Sequence, residues 1–275
     1  MKKSLFTMTA LLSLALAVNA ATWVAADKVA PVGSNILTKN NIKSDYTFKV
    51  VNGAADNSTT STSKIVQVSS TDLTYAGNDN EVAAVVSTEL GQLINGKTAK
   101  DRFRSAAKAA IAEKLSADNV LNTAANSEYV KNKTTLSDYK LADMTGVDLM
   151  VNAGYNPLAM VVVITKAPGS NIELVMGKPA NSERAMSVYD YITYNYPDKI
   201  KAGYNCQEYR NFLAYAEPIV TSRNNNKRSL KKFNKEQEKL KTERAKVLAQ
   251  YKSTGGITSL DATYTIIDEF NKNKK

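Results

Sequence analysis

The sequence predicts an α+β fold that is mostly α, with a small N-terminal sheet and a long C-terminal helix. Three observations carry this. Two short stretches with period-two patterning lie close together, at residues 46–51 and 64–68. From residue 78 onward, apolar positions recur at helical spacing. Residues 227–252 form a long, charged, amphipathic run that Gly255-Gly256 breaks. The chain has 275 residues, of which 43% are hydrophobic and 23% charged, enough for one large domain or a domain with an extension.

The elements follow in order. Lys2 and Lys3, an apolar core at residues 5–18 and the small-residue site Val18-Asn19-Ala20 read as a secretory signal, cut after Ala20. A later cut near Ala25 or Ala26 is the alternative. The apolar run is short for a membrane span, and no later run reaches about 18 apolar residues. With no cysteine beside the signal, a lipid anchor is not expected. The mature protein is therefore expected to be exported and soluble, in a bacterial periplasm or secreted, with no transmembrane helix. Residues 21–45 read as an extended lead-in, 46–222 as the main domain and 223–275 as a basic helical extension.

The strand at 46–51 ends at Asn52-Gly53, and a Ser/Thr-rich loop at 57–63 leads to the second strand, predicting a hairpin. The next helix starts at Asn78 or Asp79, with Glu81 at the positive end of its dipole. At 100° per residue Val82, Val86, Glu89 and Leu93 share one stripe, with Val85 at its edge. Glu89 is thus expected in the apolar face, where a carboxylate is costly unless hydrogen-bonded or protonated. Asn95-Gly96 ends this helix. An Ala-rich helix is expected at 101–115, then a polar excursion to 132. Further helices span 136–153, stopped by Gly154, then 158–166, opened by Pro157, and 182–196, ended by Pro197. The last three are 206–220, the long run at 227–252 with Leu230, Phe233, Leu240, Val247 and Leu248 as its apolar positions, and a closing helix at 260–270. No internal repeat is present.

Composition narrows the chemistry. The chain contains no histidine. Cys206 is the only cysteine, so it forms no internal disulfide, and with no histidine to act as base it does not make a cysteine protease. It reads as a small buried apolar residue. Net charge is +10, and residues 223–275 hold 14 Lys/Arg against six Asp/Glu. Export argues against nucleic acid as the partner. Anionic lipid, an acidic glycan or an acidic protein fits the basic C-terminus better, and a solvated helix face is the plainer reading. Asn57-Ser58-Thr59 and Asn132-Lys133-Thr134 match the glycosylation pattern and are read as incidental.

Three segments together carry a resemblance. The first is Asn80 to Gln92, NEVAAVVSTELGQ. The second runs from Tyr139-Lys140-Leu141-Ala142-Asp143 through Gly146 and Leu149-Met150 to Ala153-Gly154-Tyr155-Asn156-Pro157. The third is Gly177-Lys178-Pro179 with Arg184. In order and rough spacing they resemble the N-E-x-E-L-A-A-V-x-A-H-E-x-G-H, E-x-E-A-D-x-x-G-x-x-L-M-x-x-A-G-Y-x-P and S/T-H-P-x-x-x-x-R elements of the HtpX/CAAX-prenyl-protease type zinc metallopeptidases. The resemblance covers roughly residues 46–196 and implies a zincin-like metallopeptidase fold. Thr88 and Gln92 stand at the two zinc-histidine positions, Tyr139 at the glutamate ligand and Lys178 at the histidine of the last element. Glu89 aligns with the general base, Asp143 with a supporting acidic residue, and Arg184 is kept.

Catalytic zinc takes three protein ligands. Thr and Gln are weak neutral donors, and a Tyr phenol titrates near pH 10. Without the metal nothing lowers the pKa of water from about 15.7 toward 7. The resemblance therefore implies a pseudo-protease without zinc or other cofactor and with no assigned catalytic residue. It is expected to hold polypeptide or an envelope protein in a cleft lined by Thr88, Glu89, Gln92, Tyr139, Asp143, Lys178 and Arg184. Two alternatives stand beside it. One is an active metalloendopeptidase or other hydrolase that binds a hard ion through Glu89, Asp143, Asp148 or Glu81. The other is an envelope tether acting through the basic C-terminal helix. Each residue also has a plainer role: Glu89 bonded to a backbone group or to Gln92, Asp143 pairing helices, Arg184 in a salt bridge.

Overall fold

A computed structural model describes residues 23–43, 45–55, 57, 60–95 and 136–253. The signal (1–20), the helix and excursion at 101–132 and the closing helix at 260–270 lie outside the described residues. Within them the protein is mostly helical, with one small two-stranded sheet.

The expected extended lead-in is instead a helix, α1 (Ala25–Lys39). Its buried residues Val29, Val32, Ile36 and Leu37 fall at helical spacing. That stripe outweighs Pro31, which lacks an N–H to give the preceding turn. After α1 the buried Asn40 donates to the carbonyls of Ile36 (2.9 Å) and Leu149 (3.0 Å) and accepts from Asn152 (2.9 Å).

Strand β1 (Thr47–Val51) and strand β2 (Ile65–Ser69) pair in parallel, from Thr47 opposite Ile65 to Val51 opposite Ser69. The expected hairpin is therefore corrected. The intervening chain is long enough to cross over and holds a helical turn, α2 (Thr60–Ser63), in what reads as a Ser/Thr-rich loop. Val66 and Val68 are fully buried and anchor the sheet on the core. A second turn, α3 (Ser70–Leu73), is capped by Ser69, whose Oγ accepts from the Asp72 N–H at 3.3 Å.

Helix α4 (Asp79–Asn95) is the central element. It packs most extensively on α5 (Leu136–Asn152), and also on α1 and on α6 (Leu158–Lys166). Two glycines set the α4–α5 distance. A Cβ on Gly91 would run into the Ala142 carbonyl, and one on Gly146 would meet the Ser87 carbonyl oxygen at 2.9 Å. The two helices run antiparallel with their backbones in close contact. Helix α6 is buried from Leu158 to Ile164, as its unbroken apolar run requires.

The remainder wraps this core: α7 (Asn171–Val175), α8 (Ser182–Asn195), α9 (Pro197–Ala202), α10 (Gln207–Asn225) and α11 (Lys227–Ser253). Cys206 is a half-buried helix cap, not a core residue: its Sγ accepts from the Tyr209 N–H at 3.4 Å and starts α10. Helix α11 docks through a seam of period seven. Gln237, Arg244 and Tyr251 are buried, and Leu230, Phe233, Leu240 and Val247 complete the seam as partly buried positions. Its outer face exposes Lys227, Lys231, Lys232, Lys235, Lys239, Lys241 and Lys246. Among the described residues no helix is long and apolar enough to cross a membrane.

Candidate functional site

Helix α4 is buried by neighbours along most of its circumference. From Glu81 onward, only Thr88, Glu89, Gln92 and Asn95 are not buried. Glu89 therefore lies at the border between this polar stripe and the buried stripe of Val82, Val86 and Leu93 that the periodicity predicts, and its carboxyl is both hydrogen-bonded and desolvated. Helix α4 has neighbours on several sides, so buried residues occupy nearly every other position as well.

The close Gly91 contact brings α4 and α5 near enough for side chains at Thr88 and Asp143 to meet. Thr88 Oγ1 donates to Asp143 Oδ1 at 3.0 Å and also touches Met160 Sδ at 3.3 Å. Asp143 has no exposed surface. Arg184, in the first turn of α8, binds it in a two-pronged pair, Nε to Oδ2 at 2.6 Å and Nη2 to Oδ1 at 2.7 Å. The same guanidinium lies 4.8 Å from the centre of the Tyr139 ring. Burial opposes the Arg184 charge, and Asp143 more than restores it, leaving its pKa raised. Beside Tyr139, Lys140 pairs with Glu183 and adds a second tie between α5 and α8.

Glu89 sits next to this group, half-buried. Its Oε2 accepts from Asn57 Nδ2 at 3.0 Å. The Asn57 carboxamide also grips the backbone of β2: Oδ1 accepts from the Gln67 N–H at 2.7 Å, and Nδ2 donates to the Gln67 carbonyl at 3.1 Å. Burial and the charge of Asp72 push the Glu89 carboxyl up to about 8; Asp143 adds to this, while Asn57 and Arg184 oppose it. At neutral pH Glu89 is mostly protonated.

The structure thus joins Thr88, Glu89, Tyr139, Asp143 and Arg184, drawn from separate segments of the chain. Gln92 shares the polar stripe of α4, half-buried. Lys178 is exposed on the loop after α7, and no described bond links its side chain to the cluster. Glu81 and Asp148, considered above as ion ligands, are engaged elsewhere. Buried Glu81 accepts from the Gly77 N–H, Lys166 and Tyr204 at 2.7–3.0 Å. Asp148 accepts from Tyr191 at 2.9 Å and Tyr196 at 2.6 Å, and burial holds its carboxyl up at about 6 against those two bonds and Arg244. Among the described residues no group of three His, Cys, Asp or Glu is placed to hold a metal ion.

Two members of the site are not evident from sequence. Asn57 lies in a polar loop, where the residue pattern marks it only as a glycosylation match and not as a partner of the site. Asp72 has a weak signal: Ser69 and Asp72 have the spacing of a helix cap. The buried Arg244 of α11 is likewise not evident from its charged surroundings in sequence. It donates to Asn95 and to Thr145 Oγ1 (2.9 Å), fixing α11 to α4 and α5. Its signal is the seven-residue repeat Leu230, Gln237, Arg244, Tyr251. No family model, curated protein or solved structure matches the chain.

Proposed function

We propose that this chain is an exported, zinc-free pseudo-protease of the HtpX-type metallopeptidase kind, with a zincin-like fold, and that its cleft holds polypeptide without cutting it. The observation that carries this reading is convergence. Thr88 and Glu89, Tyr139 and Asp143, and Arg184 come from three motif-like segments far apart in sequence, and they meet in one cluster.

The residues at the former ligand positions do not fit zinc. The Thr88 hydroxyl is spent on Asp143, the Tyr139 ring lies beside the Arg184 guanidinium, and Gln92 is a neutral amide. No thiolate or imidazole stands at any of these positions to supply the affinity that a zinc site needs. A mostly protonated Glu89 is likewise a poor general base at neutral pH. What remains is a polar, half-buried surface beside a strand edge, suited to hydrogen-bonding a peptide.

The test is equilibrium binding of fluorescein-labelled, unfolded casein to the wild type and to a Glu89→Ala/Gln92→Ala/Tyr139→Ala variant. The wild type should bind casein and leave it intact, and the variant should bind at least about tenfold more weakly while keeping its helical circular dichroism. Equal binding by both proteins would overturn the groove reading.

A further inference from the structure

In a parallel pair, alternate residues turn their N–H and C=O to opposite sides of the strand. At Gln67 both groups meet the Asn57 side chain, at 2.7 and 3.1 Å. That contact lies on the edge of β2 away from β1. A carboxamide has the same donor and acceptor as a peptide unit, so Asn57 makes the two bonds that one residue of an added strand would make. Its second N–H reaches Glu89 at 3.0 Å, from the polar stripe of α4. Asn57 thereby spans the gap between strand edge and site helix. It is held there by its own turn: Thr60 Oγ1 donates to Asn57 Oδ1 at 3.3 Å, and the Thr60 N–H donates to the Asn57 carbonyl at 3.3 Å.

We propose that Asn57 is an intramolecular occupant of the peptide-binding edge, imitating one peptide unit of an extended polypeptide and released when such a chain binds at Gln67. The proposal rests on the polypeptide-binding reading above and adds a competitor to it. An extended chain supplies the two Gln67 bonds from its own backbone, and its neighbouring N–H takes the place of the Asn57 donor at Glu89. Binding then exchanges like bonds for like, and apparent affinity is the intrinsic affinity multiplied by the fraction of molecules in which Asn57 is unseated.

The experiment uses the full chain and a fluorescein-labelled, uncharged heptapeptide of alternating Thr and Val, read by anisotropy. Removal of the occupant in Asn57→Ala should tighten binding on the order of tenfold, because every molecule then presents the Gln67 edge unoccupied. Asn57→Gln, which keeps the carboxamide on a longer arm, should fall between. In the wild type, the Asn57 side-chain NH₂ resonances should shift together with the Gln67 amide as peptide is added, a readout that needs no variant to fold. Peptide binding with both signals unmoved, or with Asn57→Ala no tighter, would overturn the occupant and leave the binding site standing. No binding by any of the three proteins would overturn both.

Discussion

At the scale of single residues, the site is a set of polar groups that satisfy one another. Asp143 is fully buried, and it is tolerable there because Arg184 supplies two charge-assisted bonds and Thr88 a third. Glu89 has only Asn57 as a direct partner among the described bonds, and the charges of Asp72 and Asp143 act against it. Its proton therefore stays on. A glutamate in the unfolded chain titrates near 4.5 and this one near 8, so between those values the folded state holds one more proton. The stability Glu89 contributes is complete below about pH 4.5 and is lost as pH rises through about 8. Asp148, held at about 6, acts in the same direction over a narrower range. Glu89→Gln keeps an acceptor for Asn57 but cannot ionise. In urea titrations at several pH values it should flatten the decline above pH 6 and exceed the wild type by about 1–2 kcal/mol at pH 8.5. A wild type whose stability does not fall between pH 5 and 8.5 would contradict this assignment.

At the scale of elements, the decisive contact is α4 against α5. Gly91 and Gly146 let the helices approach until Thr88 reaches Asp143 and Asn95 reaches Thr145, at 3.0 Å in each case. Gly91→Ala puts a methyl where the Ala142 carbonyl stands, so the helices must separate. The expected loss is about 2–3 kcal/mol in urea denaturation, despite the better helix propensity of alanine. A loss under about 0.5 kcal/mol would mean that this contact does not set the helix spacing.

Much of this layer was legible in the sequence. Gly154, Pro157 and Pro197 mark helix ends that the structure keeps to within a residue or two. The parts that were not legible share a cause. Strand direction, the polar stripe of α4 and the seam of α11 all depend on which neighbours surround an element, and periodicity assumes only one. Helix α1 was hidden differently, by Pro31 and Gly33 interrupting an otherwise regular apolar stripe. In α11, Gln237 and Arg244 look like surface residues until the seven-residue repeat is counted.

At the scale of the whole molecule, α11 is held to the core by Arg244, with Tyr251 buried near its end, while its outer face carries lysines. Most of the excess positive charge of the described chain is thus displayed on a docked helix. The body beneath it gathers Thr88, Glu89, Tyr139, Asp143 and Arg184 into one cluster, and among the described residues no group of three His, Cys, Asp or Glu is placed to hold a metal ion. Metal content measured together with activity decides whether this cluster lacks zinc chemistry. The purified chain, dialysed against zinc and then zinc-free buffer, should carry far less than one zinc per chain by mass spectrometry and leave unfolded casein intact with or without chelator. Stoichiometric zinc together with casein cleavage that a chelator abolishes would show an active metallopeptidase instead.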